Sequence, residues 1–391
     1  MTASDSPQGT AEHGISLMLG HPDPTLLLTP ELRSVMQEVL SSPQAYVGLQ
    51  YGPEQGTQSL LTFLAEHLSR EQGISVALAN LMLVAGSTHA VDMLTRLFAG
   101  PGGVVLVEAP SYADALHIFR DHRVELHSVP MDDNGLRPDA LEEQLRRLQT
   151  RSTPASMLYT VPNFHNPTGR TLSTERRLQI IDLARRYSFL IVEDDVYRDL
   201  FFEGTVPPSF YALAQGEGVA SVGSFSKTLA PGLRLGWLLA SREIVRRCID
   251  CGTSQMGGGA NPFAAQVVAE YCRRGHWEPH LARLRSVYRM RRDTALSALS
   301  QHMPPDVTWT RPAGGFFLWL TLPAQIFARD VKRRALQQGV EIAEGSGFFV
   351  NPSDGQHNLR LAYSYAAPDE LARGIQILAR AIEQVKMGAE D

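Results

Sequence analysis

One lysine follows an apolar run that is typical of a buried strand. Lys227 comes after the run Val219 to Gly223 and the serines Ser224 and Ser226, and Arg234 follows it seven residues later. Burial disfavours the charged form of an amine, so its pKa falls and the neutral amine becomes a nucleophile toward aldehydes and ketones. The pattern therefore predicts a lysine that forms a Schiff base.

The neighbours of this lysine are suited to binding phosphate. The hydroxyls of Ser224 and Ser226 and the guanidinium of Arg234 can donate hydrogen bonds to phosphate oxygens, which fits a pyridoxal phosphate molecule attached to Lys227. A surface turn is the alternative, because Ser-Lys-Thr and Pro-Gly are common loop sequences. A short motif remains a hypothesis until the surrounding sequence agrees with it.

Short apolar runs that alternate with helical stretches must position these side chains. The expected strands are Leu81 to Ala85, Val104 to Glu108, Val124 to Val129, Ser156 to Thr160, Leu190 to Glu193, Val219 to Gly223 and Leu235 to Ala240. Between two of them, Ile180, Leu183, Ala184 and Tyr187 repeat with the helical period. The alternation predicts a mainly parallel sheet covered by helices on both faces, with ligands at the carboxyl ends of its strands.

Loops at that edge of the sheet carry further candidates. Gly86, Ser87 and Thr88 join a strand to a helix, whose N-terminal N–H groups attract anions. A helix cap formed by Ser87 or Thr88 is a compatible alternative. In the next loop Asn166 precedes Pro167, which holds the asparagine in an extended conformation and fixes the direction of its amide.

Acidic residues follow the strand Leu190 to Glu193 directly. An aspartate at this position, Asp194 or Asp195, can keep a pyridine nitrogen protonated, and the positive nitrogen makes the ring an electron sink. The alternative, that one of these residues caps the next turn, is equally open.

The second half of the chain predicts two long helices and then a smaller domain. The helices run from Pro262 to Arg274 and from Glu278 to Leu299, and the arginines of the second are expected on a solvated face. After Met303 the pattern indicates a mixed α+β domain. There Arg360 lies on the opposite face of a strand from its leucine neighbours, and its planar fork can bind a carboxylate with two hydrogen bonds. A structural salt bridge is the alternative.

Composition limits the class of protein. The chain has 391 residues and a formal charge of −5, which fits about two domains and is the wrong balance for a nucleic-acid surface. Its three cysteines, Cys248, Cys251 and Cys272, are expected to be buried thiols, and no metal site is expected. We find neither a signal peptide nor an apolar run long enough to cross a bilayer, so we expect a cytoplasmic protein with no membrane partner.

Three motifs in order carry a resemblance to a known family. NPTG at Asn166 to Gly169, EDDVY at Glu193 to Tyr197, and SFSK with PGLRLGW at Ser224 to Trp237 resemble the fold type I pyridoxal phosphate enzymes. The chain is most similar to the class I/II aminotransferases of the branch that includes aminoadipate and kynurenine aminotransferases. The likeness extends from Gly20 to the last helix.

The resemblance implies a role for each matched residue. Lys227 would carry the cofactor and act as the general base, Asp194 would pair with the pyridine nitrogen, and Tyr112 would stack on the ring. Asn166 and Tyr197 would bind the phenolic oxygen of the ring. Arg360 would bind the substrate carboxylate, with Asn166 and Gly20 also facing the substrate. The residues that would hold the phosphate are Gly86, Ser87, Thr88, Ser224, Ser226 and Arg234.

The resemblance also implies an architecture. It is an α/β fold whose large domain is a mainly parallel mixed sheet between helices, with a smaller α+β domain built from both chain ends. We expect residues 1–45 to contribute to the small domain, residues 46–285 to form the large one, and residues 286–391 to complete the small one. Tyr51 would reach the phosphate of the neighbouring subunit, which implies a homodimer with shared active sites. The glycines at Gly257, Gly258 and Gly259 depart from the family pattern and predict a roomy or mobile pocket wall.

The leading functional hypothesis is an aminotransferase that moves an amino group between an L-amino acid and a 2-oxo acid by a ping-pong mechanism. A lyase, a cyclase or a decarboxylase that uses the same cofactor residues is the alternative. A third possibility is a regulator in which this fold is fused to a DNA-binding domain. Only about 20 residues precede the first family-like segment, and the net charge is acidic, so we expect no nucleic-acid partner.

Overall fold

The computed structural model describes residues 14–388, which form two β-sheets of four and eight strands, a pair of short strands, and the helices that cover them. The strands are β1 (Ile15–Ser16), β2 (Leu81–Val84), β3 (Val104–Ala109), β4 (Glu125–Asp132), β5 (Gly135–Leu136), β6 (Ala155–Thr160), β7 (Leu190–Asp194), β8 (Val219–Ser224), β9 (Gly236–Ala240), β10 (Thr308–Trp309), β11 (Phe317–Thr321), β12 (Val340–Glu341), β13 (Ala343–Glu344) and β14 (Asn358–Ala362). The α-helices are α1 (Pro30–Ser41), α2 (Ala45–Gly48), α3 (Gln58–Gln72), α4 (Ser87–Leu94), α5 (Ala113–Asp121), α6 (Pro138–Thr150), α7 (Thr174–Tyr187), α8 (Phe210–Leu213), α9 (Arg242–Ile249), α10 (Gly252–Gln255), α11 (Pro262–Arg273), α12 (Trp277–His302), α13 (Ala328–Gln337) and α14 (Pro368–Gly388).

The eight-stranded sheet has the spatial order β2-β9-β8-β7-β6-β3-β4-β5. Its centre is parallel, from β4 through β3, β6 and β7 to β8, while β9, β2 and β5 add antiparallel pairs at the two edges. All seven strands expected from the sequence are present, with ends that differ by at most three residues. The expected mainly parallel mixed sheet is therefore confirmed.

Helices cover both faces of this sheet, because its central strands direct apolar side chains toward both faces. Val105 and Val107 of β3 pack into one hydrophobic core, and Val104 and Leu106 pack into the other. Strands buried on both faces are near-continuous apolar runs, which is what parallel sheets require. The polar side chains of such a sheet are left at the strand ends.

The smaller unit takes strands from both ends of the described chain. Its four-stranded antiparallel sheet has the order β10-β11-β14-β13, and β1 pairs in parallel with β12. Ala362 N–H also donates a hydrogen bond to the carbonyl of Leu17. The segment near Leu17 is thereby fixed beside the strand that carries Arg360. The domain boundaries after residues 45 and 285 stay a prediction, and residues 1–13 and 389–391 lie outside the described part.

Helix α12 corrects one expectation from the sequence. Its arginines were expected on a solvated face, but Arg291 and Arg292 are buried. Arg291 forms an ion pair with Asp23, and Arg292 pairs with Glu203 and Asp293 and donates a hydrogen bond to the carbonyl of Pro312. The expectation was wrong for these two because tertiary partners neutralise and hydrogen-bond each guanidinium, which makes its burial tolerable.

Two further sequence expectations concern exposure. All three cysteines are buried and none forms a disulfide, as the sequence predicted. Within residues 14–388, none of the helices combines the length and the apolar character required to cross a bilayer.

Candidate active site

Several candidate residues meet at one edge of the eight-stranded sheet. Asp194 ends β7 and Ser224 ends the adjacent strand β8, while the loop that carries Asn166 follows β6 on the other side of β7. Strand β2 runs in the same direction as β8, since each is antiparallel to β9, so Gly86 also lies at this edge. The topology thus brings together residues that are up to 141 positions apart in sequence, from Gly86 to Lys227 just beyond Ser224.

Lys227 is held among aromatic rings and backbone. Its Nζ donates a 3.0 Å hydrogen bond to the carbonyl of Gly20 and lies 6.0 Å and 5.9 Å from the ring centres of Tyr197 and Phe316. Burial, followed by the nearby positive charge of Arg360, lowers the pKa of Lys227 to about 8. A substantial fraction of the amine is therefore neutral near neutral pH and available as a nucleophile or base.

Gly20 is a glycine because a side chain would not fit there. A Cβ at this position would lie 2.5 Å from Cζ of Phe317. The close approach lets the backbone carbonyl reach Lys227, so the N-terminal segment closes over the site.

Asp194 is buried with one carboxylate oxygen satisfied and the other open. Tyr159 Oη donates a 2.7 Å hydrogen bond to Oδ2, whereas Oδ1 has no hydrogen-bond partner within residues 14–388. Burial raises the pKa of Asp194 to about 6, although the Tyr159 hydrogen bond acts in the opposite direction. Buried polar atoms are almost always paired, so the open Oδ1 indicates a missing donor. A protonated pyridine nitrogen is a donor of the right charge.

Asp195, the other acid considered from the sequence, has a structural role. It accepts hydrogen bonds from Asn163 Nδ2 at 2.6 Å and from Arg198 Nη1 at 3.3 Å. Both carboxylate oxygens are thus engaged by protein groups, which leaves Asp194 as the acid open to a ligand.

Arg360 links the two units of the fold. Its Nη1 donates to Asn166 Oδ1 at 3.1 Å and its Nη2 donates to the carbonyl of Met18 at 2.7 Å. The guanidinium carbon lies 4.4 Å from the ring centre of Phe317 and 4.9 Å from that of Phe348. Burial lowers the pKa of Arg360 to about 10, so the group remains charged at neutral pH.

The salt-bridge alternative for Arg360 is not what the structure shows. Its hydrogen bonds go to two neutral oxygens, no carboxylate of the described chain lies within ion-pair distance, and its buried Nε lacks a partner there. A buried, uncompensated guanidinium is costly, and a bound carboxylate would neutralise it with two parallel hydrogen bonds.

The helix that follows β2 begins without a side-chain cap. Gly86 is the N-cap of α4, with a φ of +88°, and no side chain accepts from the first turn. The alternative of a cap by Ser87 or Thr88 is therefore not realised, because both lie inside the helix. A Cβ at Gly86 would lie 2.8 Å from Arg234 Nη2, and that nitrogen donates a 3.1 Å hydrogen bond to the carbonyl of Ala85.

Ser224 ends β8, and Ser226 lies in the turn that follows. Ser224 is buried and its Oγ accepts a 3.1 Å hydrogen bond from the N–H of Ser226, which is half-buried. Arg234 is solvent-exposed, in the left-handed conformation with a φ of +46°. Together with the open start of α4 these groups supply hydrogen-bond donors at one edge of the sheet, as anion sites require.

Two candidate tyrosines differ in their surroundings. Tyr112 lies just before α5, where its Oη donates a 2.6 Å hydrogen bond to Asp114 Oδ2, and burial raises its pKa. Tyr51 is 83% exposed on the surface of the chain. The single chain therefore does not bring Tyr51 into the site.

The glycine loop next to Tyr51 is closely packed. A Cβ at Gly257 would lie 2.9 Å from Tyr51 Cδ1, and one at Gly258 would lie 2.6 Å from the carbonyl of Thr253. These two glycines permit close approach of neighbouring groups within the chain, and the roomy or mobile pocket wall stays a prediction.

Sequence reasoning missed two residues that hold candidates in place. Tyr159, the partner of Asp194, is the penultimate residue of β6, and Met18 supplies the carbonyl that orients Arg360. The first could have been found, because a tyrosine near the carboxyl end of a buried strand must place its hydroxyl beside a polar group. The second had no signal, since a backbone carbonyl is independent of residue type.

Comparison with known proteins gives a consistent result. The profile of the family Aminotransferase class I and II matches residues 19–378. The chain is 34% identical to aromatic-amino-acid aminotransferase 1 of Thermococcus litoralis, over 95% of this chain and 88% of that protein. It is 33% identical to 2-aminoadipate transaminase of Thermus thermophilus, over 94% of this chain and 90% of that protein. The crystal structure of Pyrococcus horikoshii kynurenine aminotransferase superposes with a TM-score of 0.91 at 35% identity, covering 96% of this chain and 92% of that one.

Proposed function

The chain belongs to the family of class I and II aminotransferases, and we propose that the residues gathered at the carboxyl edge of its large sheet form the active site of this pyridoxal phosphate-dependent enzyme. The observation that carries this assignment is the buried Asp194, whose Oδ1 lacks a donor among the described residues. The names of its relatives support amino-group transfer over elimination, cyclisation or decarboxylation.

The residues present fit the cofactor. Asp194 Oδ1 would accept a hydrogen bond from the ring nitrogen, and Tyr112 would cover the ring. Asn166 and Tyr197 would hold the phenolic oxygen, and Lys227 would carry the aldehyde carbon. The groups that would bind the phosphate are the start of α4 at Gly86, Ser87 and Thr88, the hydroxyls of Ser224 and Ser226, and the guanidinium of Arg234.

Pyridoxal phosphate, when bound, supplies an aldehyde carbon that carries the amino group and a ring that withdraws electrons from Cα of the amino acid. The protein supplies the proton transfers and the orientation. Ionised Asp194 keeps a proton on the ring nitrogen, and a pKa near 6 means that it is ionised at neutral pH. Neutral Lys227 Nζ accepts the Cα proton, for which its pKa of about 8 is suitable.

Arg360 orients the substrate in this scheme. Its Nη1 and Nη2 would turn from the carbonyl oxygens of Asn166 and Met18 toward the two oxygens of the substrate carboxylate, or share them. The rings of Phe317 and Phe348 on either side restrict the plane of the guanidinium. Gly20, beside Lys227, lies where the N-terminal segment would border the substrate.

We propose aromatic amino acids, kynurenine or 2-aminoadipate as the amino donor and a 2-oxo acid as the acceptor, in a ping-pong sequence. The support is the naming of the relatives for these three substrate classes. A screen of single L-amino acids against the purified enzyme, read by the visible absorbance of the cofactor and by the mass of the 2-oxo acid product, tests the proposal. A spectrum that stays unchanged with all donors would refute it.

We propose that the active unit is a homodimer. Large apolar side chains are exposed near Tyr51, including Tyr46 at 68%, Leu49 at 73% and Met256 at 84%. Of these, Leu49 and Met256 line a surface groove of about 890 Å³ together with Tyr51. Isolated monomers rarely leave such a contiguous patch open, and a second copy would bury it by two-fold symmetry. In that arrangement Tyr51 of one subunit would reach the phosphate site of the other.

Light scattering of the wild type and of Leu49→Glu tests the dimer. We expect the wild type at twice the mass of the chain, and we expect the variant to dissociate and lose cofactor affinity. A monomeric wild type that retains full activity would contradict the shared site.

We also propose a cytoplasmic location, supported by three buried cysteines without a disulfide. Cell fractionation with an activity assay tests it.

A further inference from the structure

A buried carboxylate and imidazole lie beneath the active site, and the scheme above leaves both without a role. Glu108, near the end of β3, and His165, next to Asn166, are each only 1% to 2% exposed. His165 Nε2 lies 3.0 Å from Glu108 Oε2. Buried ionisable side chains are rare unless a specific interaction requires them, so this pair calls for a physical explanation.

Glu108 joins two segments of the chain at the edge of the sheet. Its Oε1 accepts a 2.7 Å hydrogen bond from Thr160 Oγ1, and its Oε2 accepts a 2.9 Å hydrogen bond from the N–H of Val161. Thr160 ends β6 and Val161 begins the loop that carries Asn166. The carboxylate therefore links the end of β3 to the start of that loop, and Oε2 has the contact with His165 in addition.

The hydrogen bonds on the far side of the ring define the tautomer of His165. Nδ1 lies 2.9 Å from Thr168 Oγ1 and 3.4 Å from the N–H of Thr168, and a backbone N–H can only donate. Thr168 Oγ1 itself accepts from the N–H of Arg170, which leaves its hydrogen for Nδ1. Nδ1 is thus the acceptor, and the ring proton is on Nε2, facing Glu108. Within residues 14–388 Nε2 has no well-aligned hydrogen-bond acceptor, so its contact with the carboxylate is mainly electrostatic.

The Glu108–His165 pair would hold the neighbouring residue Asn166 in position. Its amide bonds Arg360 from the other unit of the fold, and in the proposed site it also bonds the cofactor. An amide must keep its direction within a few tens of degrees to bond both groups, and residues in a loop keep such a direction only when neighbouring groups hold them.

We propose that Glu108 and His165 are positioning residues that fix the direction of the Asn166 amide toward the cofactor and Arg360. The inference rests on the role of Asn166 in the proposed function. Neither residue touches substrate or cofactor; each acts through the loop between Val161 and Gly169.

Two substitutions at His165 separate the pair contact from the size of the side chain. The amide nitrogen of Gln lies near the position of Nε2, so His165→Gln keeps the donor toward Glu108. The shorter His165→Asn keeps only a group near Nδ1, so it retains the contact with Thr168 and loses the one with Glu108. Glu108→Gln tests the charge of the pair, because its amide can still accept from Val161 and donate to Thr160 Oγ1, while the attraction between the carboxylate and the Nε2 proton is lost.

The dissociation constant of pyridoxamine phosphate is the measurement, since this form of the cofactor carries an amine and cannot bond covalently to Lys227. Losing one hydrogen bond to the cofactor corresponds to an increase of up to about tenfold in this dissociation constant. We expect Asn166→Ala, His165→Asn and Glu108→Gln each to raise the constant by about three- to tenfold, and His165→Gln to stay within about twofold of the wild type.

The double variant with His165→Asn and Asn166→Ala decides whether one residue acts through the other. We expect it to bind pyridoxamine phosphate no more weakly than Asn166→Ala alone. His165→Asn acts only by misdirecting the Asn166 amide, so it has no further effect once that amide has been removed. Thermal unfolding of each variant verifies that it folds. If His165→Asn does not fold, Glu108→Gln, which weakens the contact with Nε2 from the other side, takes its place in the same cycle.

Different failures have different meanings. If Asn166→Ala binds like the wild type, the role assigned to Asn166 is wrong and this inference falls with it. If Asn166→Ala weakens binding while His165→Asn does not, or if the two effects multiply in the double variant, the site stands and the positioning role of the pair is refuted.

Discussion

Burial of the Asp194 carboxylate lowers the stability of the folded protein, and a single substitution should reveal this cost. Its carboxylate is buried at 4% exposure, and burial raises its pKa from 3.8 to about 6. The folded protein without cofactor therefore binds this proton more tightly than the unfolded chain does. Folding becomes less favourable as the pH rises from the unfolded pKa through the folded one, and the full cost is present above about pH 6. A shift of about two pKa units corresponds to roughly 3 kcal/mol.

Asp194→Asn removes this titration and keeps an oxygen that can accept from Tyr159. The free energy of unfolding of the wild type minus that of the variant should therefore fall by roughly 2 to 3 kcal/mol between about pH 4 and about pH 7. Any constant offset, such as an unpaired amide N–H, cancels in this difference. Urea unfolding of both proteins without cofactor, at closely spaced pH values, is the measurement.

The matched control is Asp195→Asn, the same change one residue later. Both oxygens of Asp195 are bonded to Asn163 and Arg198, so this variant should be less stable than the wild type at neutral pH. With cofactor bound, the positive ring nitrogen should offset the cost of Asp194, and the wild type should gain more stability from the cofactor than Asp194→Asn does. A difference between wild type and Asp194→Asn that stays constant with pH would refute the reasoning about this carboxylate.

Further predictions follow from the other site residues. Lys227→Arg should abolish transfer, and borohydride should then leave no pyridoxyl adduct on the corresponding peptide by mass spectrometry, whereas an adduct elsewhere would contradict the assignment. Because the neutral amine reacts, the rate at which wild-type protein without cofactor captures pyridoxal phosphate should rise with pH up to about 8 and then level off; a rate independent of pH would oppose the lowered pKa. Arg360→Lys should raise KM for the amino donor by about ten- to a hundredfold through loss of the planar fork, with a smaller change in kcat. Stopped-flow kinetics is the measurement, and a larger change in kcat than in KM would indicate a structural role instead. Gly86→Ala should weaken cofactor binding, because the new Cβ would lie 2.8 Å from Arg234 Nη2 at a φ of +88°; unchanged affinity by fluorescence titration would argue against a phosphate site there.

The sequence was sufficient to predict the strands of the large sheet. Runs such as Val104 to Val107 are apolar at every position, and only a strand covered on both faces buries such a run completely. Helix starts were equally clear where a chemical signal exists, since Pro138 begins α6 as its fixed φ permits. Short helices such as α2 and α10 were missed, because four residues are too few to show a period.

The candidate site was only partly accessible from the sequence. The resemblance in the motifs predicted roles for Lys227 and Asp194, but which of Asp194 and Asp195 keeps an open carboxylate oxygen depended on the groups that other segments bring to them. The buried arginines of α12 show the same limit. Arginine is usually exposed, so residue type predicts that Arg291 is exposed. Its burial is tolerable only because Asp23, from a distant segment, forms an ion pair with it.

The amino-acid sequence by itself determined the order of strands and helices, the family, and the residue types able to bind a cofactor, since these depend on local periodicity and on the chemistry of single side chains. The tertiary structure alone decided which groups are paired, which remain open, and how far each pKa is moved. Tyr159 reaches Asp194, Met18 reaches Arg360 and Glu108 reaches His165 across 35, 342 and 57 positions. Contacts of that range and the burial around them arise only when the chain is folded, because the interaction between two charged or polar groups depends on their distance and on the exclusion of water.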